Sequence, residues 1–467
     1  MGDNSITTDY LIMGAGAAGM AFADSVLTET EATLAIVDRR DRPGGHWNDA
    51  YPFVRLHQPA SYYGVNSAPL GTGTIDQMGL NAGFHALAAG TEVVSHYDLT
   101  MRQRFLPSGR VRFLPMSEVD DDRVVTSLLS GERTVVHAHR FVDATYSRMR
   151  IPSTTPPAFA VAPGVACVPP NDLPRAAPAY DDFLVIGAGK TGMDTCIWLL
   201  EHGADPDQIR WIVPRDSWVQ NRANFQPGDD FFAAFAKSIA DQAEVVALAN
   251  SIDDVFARLE AAGELQRLDP NATPEAYHCA ILSNAEVVEL RRIKRVIRRG
   301  RVTAINSDEI LLEQGAISTG PTTLHIDCSA AGIPTHPSTA IFEDDRITLQ
   351  WVRTCQPAFS AALIGFVEST LTDAEVKNRV CTPIVPPTVP LDWLRMYRIE
   401  LTNRKCWAEH PEINEWMAES RLDPFTRTAR SRLGVDIEAT KHLGRYLAHV
   451  DQAAEKIEVL LDGQPVG

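Results

Sequence analysis

The residues that could do chemistry begin with Gly14-Ala15-Gly16-Ala17-Ala18-Gly19, a GxGxxG run behind the apolar stretch Tyr10-Leu11-Ile12-Met13. The same spacing returns at Gly187-Ala188-Gly189-Lys190-Thr191-Gly192, behind Phe183-Leu184-Val185-Ile186. In such a run the first glycine permits a tight strand-to-helix turn, the second lets backbone approach a pyrophosphate, and the third lets helix pack closely on strand. The phosphates then meet unpaired N–H groups at the positive end of the helix. A lone match also fits a plain turn of small residues. Two matches, each followed by a helix-like stretch and a second strand, read as sites for two dinucleotides held face to face.

What closes each second strand separates the two sites. Leu34-Ala35-Ile36-Val37 ends at Asp38, followed by Arg39. A carboxylate there accepts hydrogen bonds from a ribose diol and suits the ADP half of FAD or NAD. Arg210-Trp211-Ile212-Val213 ends instead at Pro214-Arg215. An arginine fork suits the 2′-phosphate of NADP, although an ordinary surface arginine would read the same. Gly189-Lys190-Thr191 is not an ATPase phosphate loop, because Leu184 stands where GxxxxGK[ST] requires glycine.

A third constellation lies between the two runs. It comprises Pro43-Gly44-Gly45-His46-Trp47 and then Tyr51-Pro52-Phe53-Val54-Arg55-Leu56-His57-Gln58-Pro59-Ala60-Ser61-Tyr62-Tyr63. Here the chain resembles the class B flavoprotein monooxygenases, the flavin-containing and Baeyer–Villiger monooxygenases, over about residues 5–370. That family carries GGxW after the acidic residue of its FAD site, and a Tyr-Pro-x-x-Arg stretch follows in its Baeyer–Villiger branch. The resemblance implies that Gly44, Gly45 and Trp47 pack along FAD. It puts Tyr51, Arg55 and Ser61 on motif positions and His57 where the family has an aspartate beside the flavin. The signature FxGxxxHxxxW is absent; that region reads Asp143-Ala144-Thr145-Tyr146-Ser147-Arg148-Met149.

The elements that must position these residues repeat one plan. After the first unit, Thr100–Phe105, Arg110–Met116, Arg123–Leu129 and Arg133–His139 read as a β-meander leading to Arg140–Thr145. After the second, Arg301–Ile305, Glu309–Leu312 and Ala316–Ser318 lead to Thr323–Gly332. Asp143-Ala144-Thr145 and Asp327-Cys328-Ser329 therefore hold equivalent places. The expected fold is α/β: two Rossmann-like dinucleotide-binding domains, each with an inserted meander, plus a helical insertion and a helical C-terminal region. The expected boundaries are 1–165 with 325–390 for FAD and 175–325 for NADP, with the insertion near 229–285 and the extension at 391–467. In the insertion, Leu248, Ile252, Val255, Phe256 and Leu259 share a helical face; it either caps a substrate pocket or is a packing accessory. Leu443, Leu447, Val450, Ala454, Ile457 and Leu461 form a stripe near the C-terminus.

Composition narrows the function classes. The 467 residues are 45% hydrophobic and 22% charged, as in soluble globular proteins. A net charge of −17 argues against nucleic acid and against an anionic membrane surface. The basic run from Arg291 to Arg301 reads as a solvated helix end and hairpin. No apolar run approaches the roughly 18 to 20 residues of a membrane span, and the polar start at Met1 to Asp9 carries no signal pattern. Seven cysteines, odd in number and without a CxxC, fit a reducing cytoplasm and remove the disulfide reductases. No cluster has metal-ligand spacing.

The resemblance implies FAD and NADPH as cofactors. A small organic substrate and molecular oxygen are the expected partners, and a homodimer is the candidate assembly. It implies hydride transfer from NADPH to FAD and then one oxygen atom inserted through a C4a-peroxyflavin. The alternative is an NADPH-dependent flavin dehydrogenase or reductase without oxygen insertion; a flavin-binding redox sensor is a third. Expected catalytic residues are His57, Gln58 and Arg222. Around the cofactors the candidates are Gly14, Gly16, Ala17, Ala18, Gly19, Asp38, Arg39, Gly45, His46, Trp47, Arg55, His57 and Ala144, then Gly187, Gly189, Lys190, Thr191, Gly192, Arg215, Gly332 and Gln356.

Overall fold

A computed structural model describes residues 5–334 and 336–462. The reading of the first four residues, and the outermost ends of the expected first and last segments, lie outside the described residues.

β1 (Ser5–Met13), α1 (Ala17–Glu29) and β2 (Leu34–Val37) form the first strand–helix–strand unit. Leu11 and Ile12 point to opposite faces of β1 and both are fully buried, so this strand is covered on each side. α2 (Gly90–Thr100) runs on into a π-helical turn, Met101–Phe105. This corrects the strand expected at Thr100–Phe105. Val93, Tyr97, Met101 and Phe105 are all buried; their spacing of four is a helical stripe. β3 (Val111–Leu114) follows and pairs with β2 in parallel, so it is a sheet strand and not the meander's first arm. β4 (Ser117–Val119), β5 (Val124–Ser127) and β6 (Arg133–Asp143) supply the antiparallel meander. The order is β3-β2-β1-β6-β5-β4.

A connector carries β7 (Ala160–Val161), β8 (Cys167–Val168) and α3 (Leu173–Ala176) to the second unit. That unit is β9 (Asp182–Ile186), α4 (Lys190–Glu201) and β10 (Ile209–Ile212), with β11 (Ser217–Asn221) beyond it. α5 (Phe232–Leu248) and α6 (Ile252–Ala261) form the expected helical insertion. β12 (Leu265–Gln266) and β13 (Ala276–Leu282) flank β11 in a separate three-stranded sheet. The helical expectation near 229–285 is thus corrected beyond Glu264. Leu248 is 47% exposed, because α5 ends there and α6 starts its own stripe of Val255, Phe256 and Leu259.

α7 (Asn284–Leu290) and β14 (Arg295–Ile297) lead to the second meander: β15 (Val302–Ile305), β16 (Glu309–Leu312) and β17 (Gly315–Ser318), then β18 (Thr323–Asp327). β14-β10-β9-β18-β8 is a wholly parallel sheet. The two units match in detail. Asp143 Oδ1 accepts from the backbone N–H and the hydroxyl of Thr145, both at 2.8 Å. Asp327 Oδ1 does the same for Ser329, at 2.9 and 2.6 Å.

The chain then returns to the first sheet, adding β19 (Arg346–Thr348) beside β6. α8 (Pro357–Thr370) covers α1, which is buried from Gly19 to Leu27. A Cβ on Gly365 would lie 2.8 Å from the carbonyl oxygen of Phe22, so glycine is what allows this close approach. The rest is helical as expected: α9 (Ala374–Val380), α10 (Pro390–Ala408), α11 (Pro411–Glu419), α12 (Pro424–Arg432) and α13 (Ile437–Leu461). Of the expected stripe on α13, Ile457 is buried but Leu447 is 70% exposed. The helix packs on α5 through Ala439 against Phe232 and Ala236, and on α6 and α10 through Ala453 and Ile457.

Candidate active site

Both glycine runs adopt the geometry their spacing predicts. Gly14 and Gly187 take φ of +103° and +115°, where L side chains are strained. A Cβ on Gly19 would come within 2.0 Å of the Gly14 carbonyl oxygen, and one on Gly192 within 2.1 Å of that of Gly187. These third glycines therefore set the helix–strand approach. Gly16 and Gly189 are the N-caps of α1 and α4, and neither helix has a side-chain cap. Their first N–H groups remain available to an anion. A Cβ on Gly189 would enter open space, with no atom within 4 Å. Gly16 faces Gly45, its Cβ position 3.6 Å from the Gly45 Cα.

Ala17 and Ala18 open α1, and Ala144 leaves β6 alongside Gly14 and Gly19. Asp38 is buried; its carboxylate accepts from Ala15 N at 2.7 Å and Arg40 N at 2.8 Å. Trp47 donates its Nε1–H to Tyr63 OH at 2.8 Å. His46 lies in the short helix Gly45–Asp49, where burial, with Arg40 adding to it, pushes its pKa down to about 4. Arg39 and Arg55 are exposed; Arg39 is 3.9 Å from Glu118 and Arg55 bridges to Ala89. Gly332, at φ +68°, bridges to Arg150 between the connecting strands.

The segment Tyr51–Gln58 ties the two halves together. Tyr51 OH donates to Asp194 Oδ2 at 2.7 Å, Asp194 pairs with Lys190, and Phe53 stacks on Trp198. His57 Nδ1 accepts the backbone N–H of Ile281 at 3.1 Å. Its ring proton therefore resides on Nε2. Burial, then the charges of Lys190 and Arg222, push its pKa down to about 3, so the ring is neutral. Arg222 is wholly buried. It donates to His57 O at 3.1 Å and Asn81 Oδ1 at 3.1 Å, and pairs with Glu286 at 2.7 Å. It holds the His57 backbone in place. Gln58 is buried beside it.

Arg215 stands half-buried just past β10; burial, with the charge of Arg215 adding to it, holds the pKa of His278 down. Among the described residues nothing ion-pairs with it. Arg210 faces away and is spent on Ser318 O, Thr323 and Asp182.

Sequence reasoning did not locate the cavity. It has a volume of about 110 Å³ and lies among β11, α5, β13, α10 and the N-terminus of α8. Tyr62 and Gln356 line it, and the Tyr62 hydroxyl and Gln356 Oε1 are buried without a hydrogen-bond partner. Gln356 is the N-cap residue of α8. Behind it, Cys355 forms a disulfide with Cys279 of β13. This corrects the reading of seven scattered thiols: residues 76 apart in sequence meet where β13 passes the start of α8. Glu264, Glu400, Arg404 and Trp393 also line the cavity. Trp393, Glu400 and Arg404 share α10, but nothing in the sequence ties them to Glu264, Tyr62 or Gln356, which come from distant parts of the chain.

Parallel sheets, meanders and bridging segment together make the fold that of the class B flavoprotein monooxygenases. An oxidized steroid monooxygenase bound to NADP is similar over 98% of this chain and 99% of its own, with a TM-score of 0.50 at 14% identity. Polycyclic ketone monooxygenase of Thermothelomyces thermophila aligns over 98% and 88% with a TM-score of 0.48 at 12% identity. No family model matches the chain. The uncharacterized proteins Rv2000 of Mycobacterium tuberculosis and Mb2023 of Mycobacterium bovis are each 44% identical to it over 465 residues, spanning 98% of this chain and 85% of theirs. The chain belongs to one family with these mycobacterial proteins. No described helix is long and apolar enough to cross a membrane.

Proposed function

We propose that this chain is an FAD- and NADPH-dependent monooxygenase that inserts one oxygen atom into a small organic substrate. The supporting observation is the pair of uncapped helix N-termini behind the two glycine runs, bridged by the segment that carries Tyr51 and His57. The residues fit the cofactors. Open space at Gly189 admits a pyrophosphate, and orphaned polar atoms on Tyr62 and Gln356 await a ligand. Both sheets would serve as dinucleotide-binding domains, residues 1–165 with 325–390 holding FAD and 175–325 holding NADP.

Bound FAD and NADPH would supply the hydride transfer and the oxygen activation. The chain's own groups do the rest. Asp38 takes the ribose hydroxyls of FAD, and the α1 N-terminus takes its pyrophosphate. The α4 N-terminus and Lys190 take the pyrophosphate of NADPH, and Arg215 its 2′-phosphate. Ile281 fixes the tautomer of His57, leaving Nε2–H as a donor that does not change charge near neutral pH. The cavity beside Gln356, closed by α5 and α10, receives the substrate and excludes water.

The test is oxygen accounting. Purified enzyme should carry FAD, oxidise NADPH, and consume one O₂ per NADPH with peroxide release delayed while NADP⁺ stays bound. Immediate, stoichiometric peroxide would favour the reductase reading. No NADPH oxidation would remove both.

A further inference from the structure

We infer that the cavity anchors its substrate by a cationic group, with Glu264 as the counter-ion, and that this group is a handle and not the reacting atom. The inference rests on reading the cavity as the substrate pocket. Five charged side chains line it. Arg353 pairs with Asp423 at 3.0 Å and Arg404 with Glu400 at 2.6 Å. Glu264 is left without a cation.

Glu264 is only 6% exposed. Its Oε2 accepts from the Ser238 hydroxyl at 2.6 Å and from Gln242 Nε2 at 3.0 Å. Among the described residues, no donor serves its Oε1. A buried carboxylate without a cation either takes up a proton or waits for one. Burial raises its pKa to about 7 even against those two hydrogen bonds. Three aromatic residues, Tyr277, Trp393 and Tyr397, also line the cavity, and aromatic rings attract cations. Gln356 Oε1 and the Tyr62 hydroxyl, both orphaned, lie at the wall formed by the α8 N-terminus and the segment after His57.

The handle role follows from elementary chemistry. A protonated or quaternary nitrogen has no lone pair, so it cannot accept an oxygen atom while held against a carboxylate. The group that reacts must be another part of the same molecule. The site therefore selects a substrate with a cationic end and a separate oxidisable end.

The experiment uses FAD-loaded enzyme without NADPH, titrated calorimetrically with choline and with its neutral carbon isostere, 3,3-dimethylbutan-1-ol. Choline should bind at least tenfold more tightly. Glu264→Gln keeps the side-chain shape and the Ser238 contact, and should abolish that preference at unchanged flavin content. Equal binding of the two probes by the wild type, or a preference that survives Glu264→Gln, would overturn the inference. Choline does not titrate, so pH offers a test without a variant. Its affinity should rise through about pH 7 as Glu264 ionises. The other groups facing Glu264 are Lys237 and Asp241 on α5, Tyr277 on β13, and Tyr397 with the Glu400–Arg404 pair on α10. A flat profile would refute the role of Glu264. Failure of NADPH oxidation with cation preference intact would instead count against the oxygenase reading alone.

Discussion

His57 and Ile281, 224 residues apart in sequence, meet through one hydrogen bond in which the Ile281 N–H donates to His57 Nδ1 at 3.1 Å. The bond fixes the imidazole tautomer from the edge of a different sheet, and Arg222 clamps the His57 carbonyl from behind. The half-buried, neutral ring keeps its Nε2–H as a donor. His57→Ala should leave FAD content and the rate of flavin reduction by NADPH nearly unchanged. Peroxide released per NADPH should rise, because a placed donor of this kind contributes roughly 10²- to 10⁴-fold to the step it serves. A pKa near 3 adds a second expectation: coupling in the wild type shows no inflection near pH 6.5 from this residue. Loss of FAD from the variant would make His57 a structural residue.

The glycines of the second run separate folding from binding. Gly189→Ala places its Cβ in open space, so the protein should fold with unchanged thermal stability and lose affinity for NADPH. Gly192→Ala drives a Cβ to 2.1 Å from the Gly187 carbonyl oxygen, so stability itself should fall. Thermal melts and coenzyme titrations on both variants decide it. Equal melting losses would remove the pyrophosphate reading of Gly189.

Local rules carried the sequence reading a long way where neighbours in the chain do the work. The glycine runs, Asp38 and both Asp turns at residues 143 and 327 are short-range features whose backbone geometry follows from residue type. The second meander came out as expected for the same reason. The strand expected at Thr100–Phe105 missed a helical signal: Val93, Tyr97, Met101 and Phe105 recur at a spacing of four, and the structure buries them along α2 and its π-helical turn. The cavity was not legible, because Tyr62, Glu264, Gln356 and Trp393 converge only after the sheets and helices have packed. Arg222, expected as a catalytic residue, is completely buried, and that burial depends on Glu286 and Asn81 arriving from elsewhere, which its loop sequence does not show.

Arg215 is the coenzyme discriminator to test. Its half-buried guanidinium, free of ion pairs among the described residues, is available to a 2′-phosphate. Arg215→Ala should weaken NADPH by about tenfold to a hundredfold and leave NADH nearly unchanged. That range is one charge-assisted hydrogen bond of roughly 1.5 to 3 kcal/mol. Equal losses for both coenzymes, measured as KM, would sink the assignment.

Glu264 also leaves a stability signature. Its folded-state pKa of about 7 exceeds its ordinary value of 4.5, so the folded protein holds a proton that the unfolded chain releases. Its contribution is complete below about pH 4.5 and is lost as pH rises through 7. Melting temperatures of wild type and Glu264→Gln should therefore diverge between pH 5 and 8, the variant gaining on the wild type as pH rises. Parallel curves would mean that the carboxyl is already paired or solvated.

The last prediction concerns Cys279 and Cys355. Five of the chain's seven cysteines, namely Cys167, Cys196, Cys328, Cys381 and Cys406, are unpaired, so unfolding without reductant should expose five reactive thiols and with reductant seven. The link joins β13, which carries Ile281 two residues on, to the loop ending at Gln356. It spans 76 residues of sequence, and closing a loop of that order stabilises a folded chain by about 4 kcal/mol where the unfolded chain is the freer state. Reductant, or Cys279→Ser, should therefore lower the denaturant midpoint. Because the link borders the cavity, the same treatment should loosen choline binding more than FAD binding. Seven thiols without reductant would show that the pair is reduced in the isolated protein. Unchanged midpoints with five thiols would show that packing between β13 and α8 already supplies the constraint.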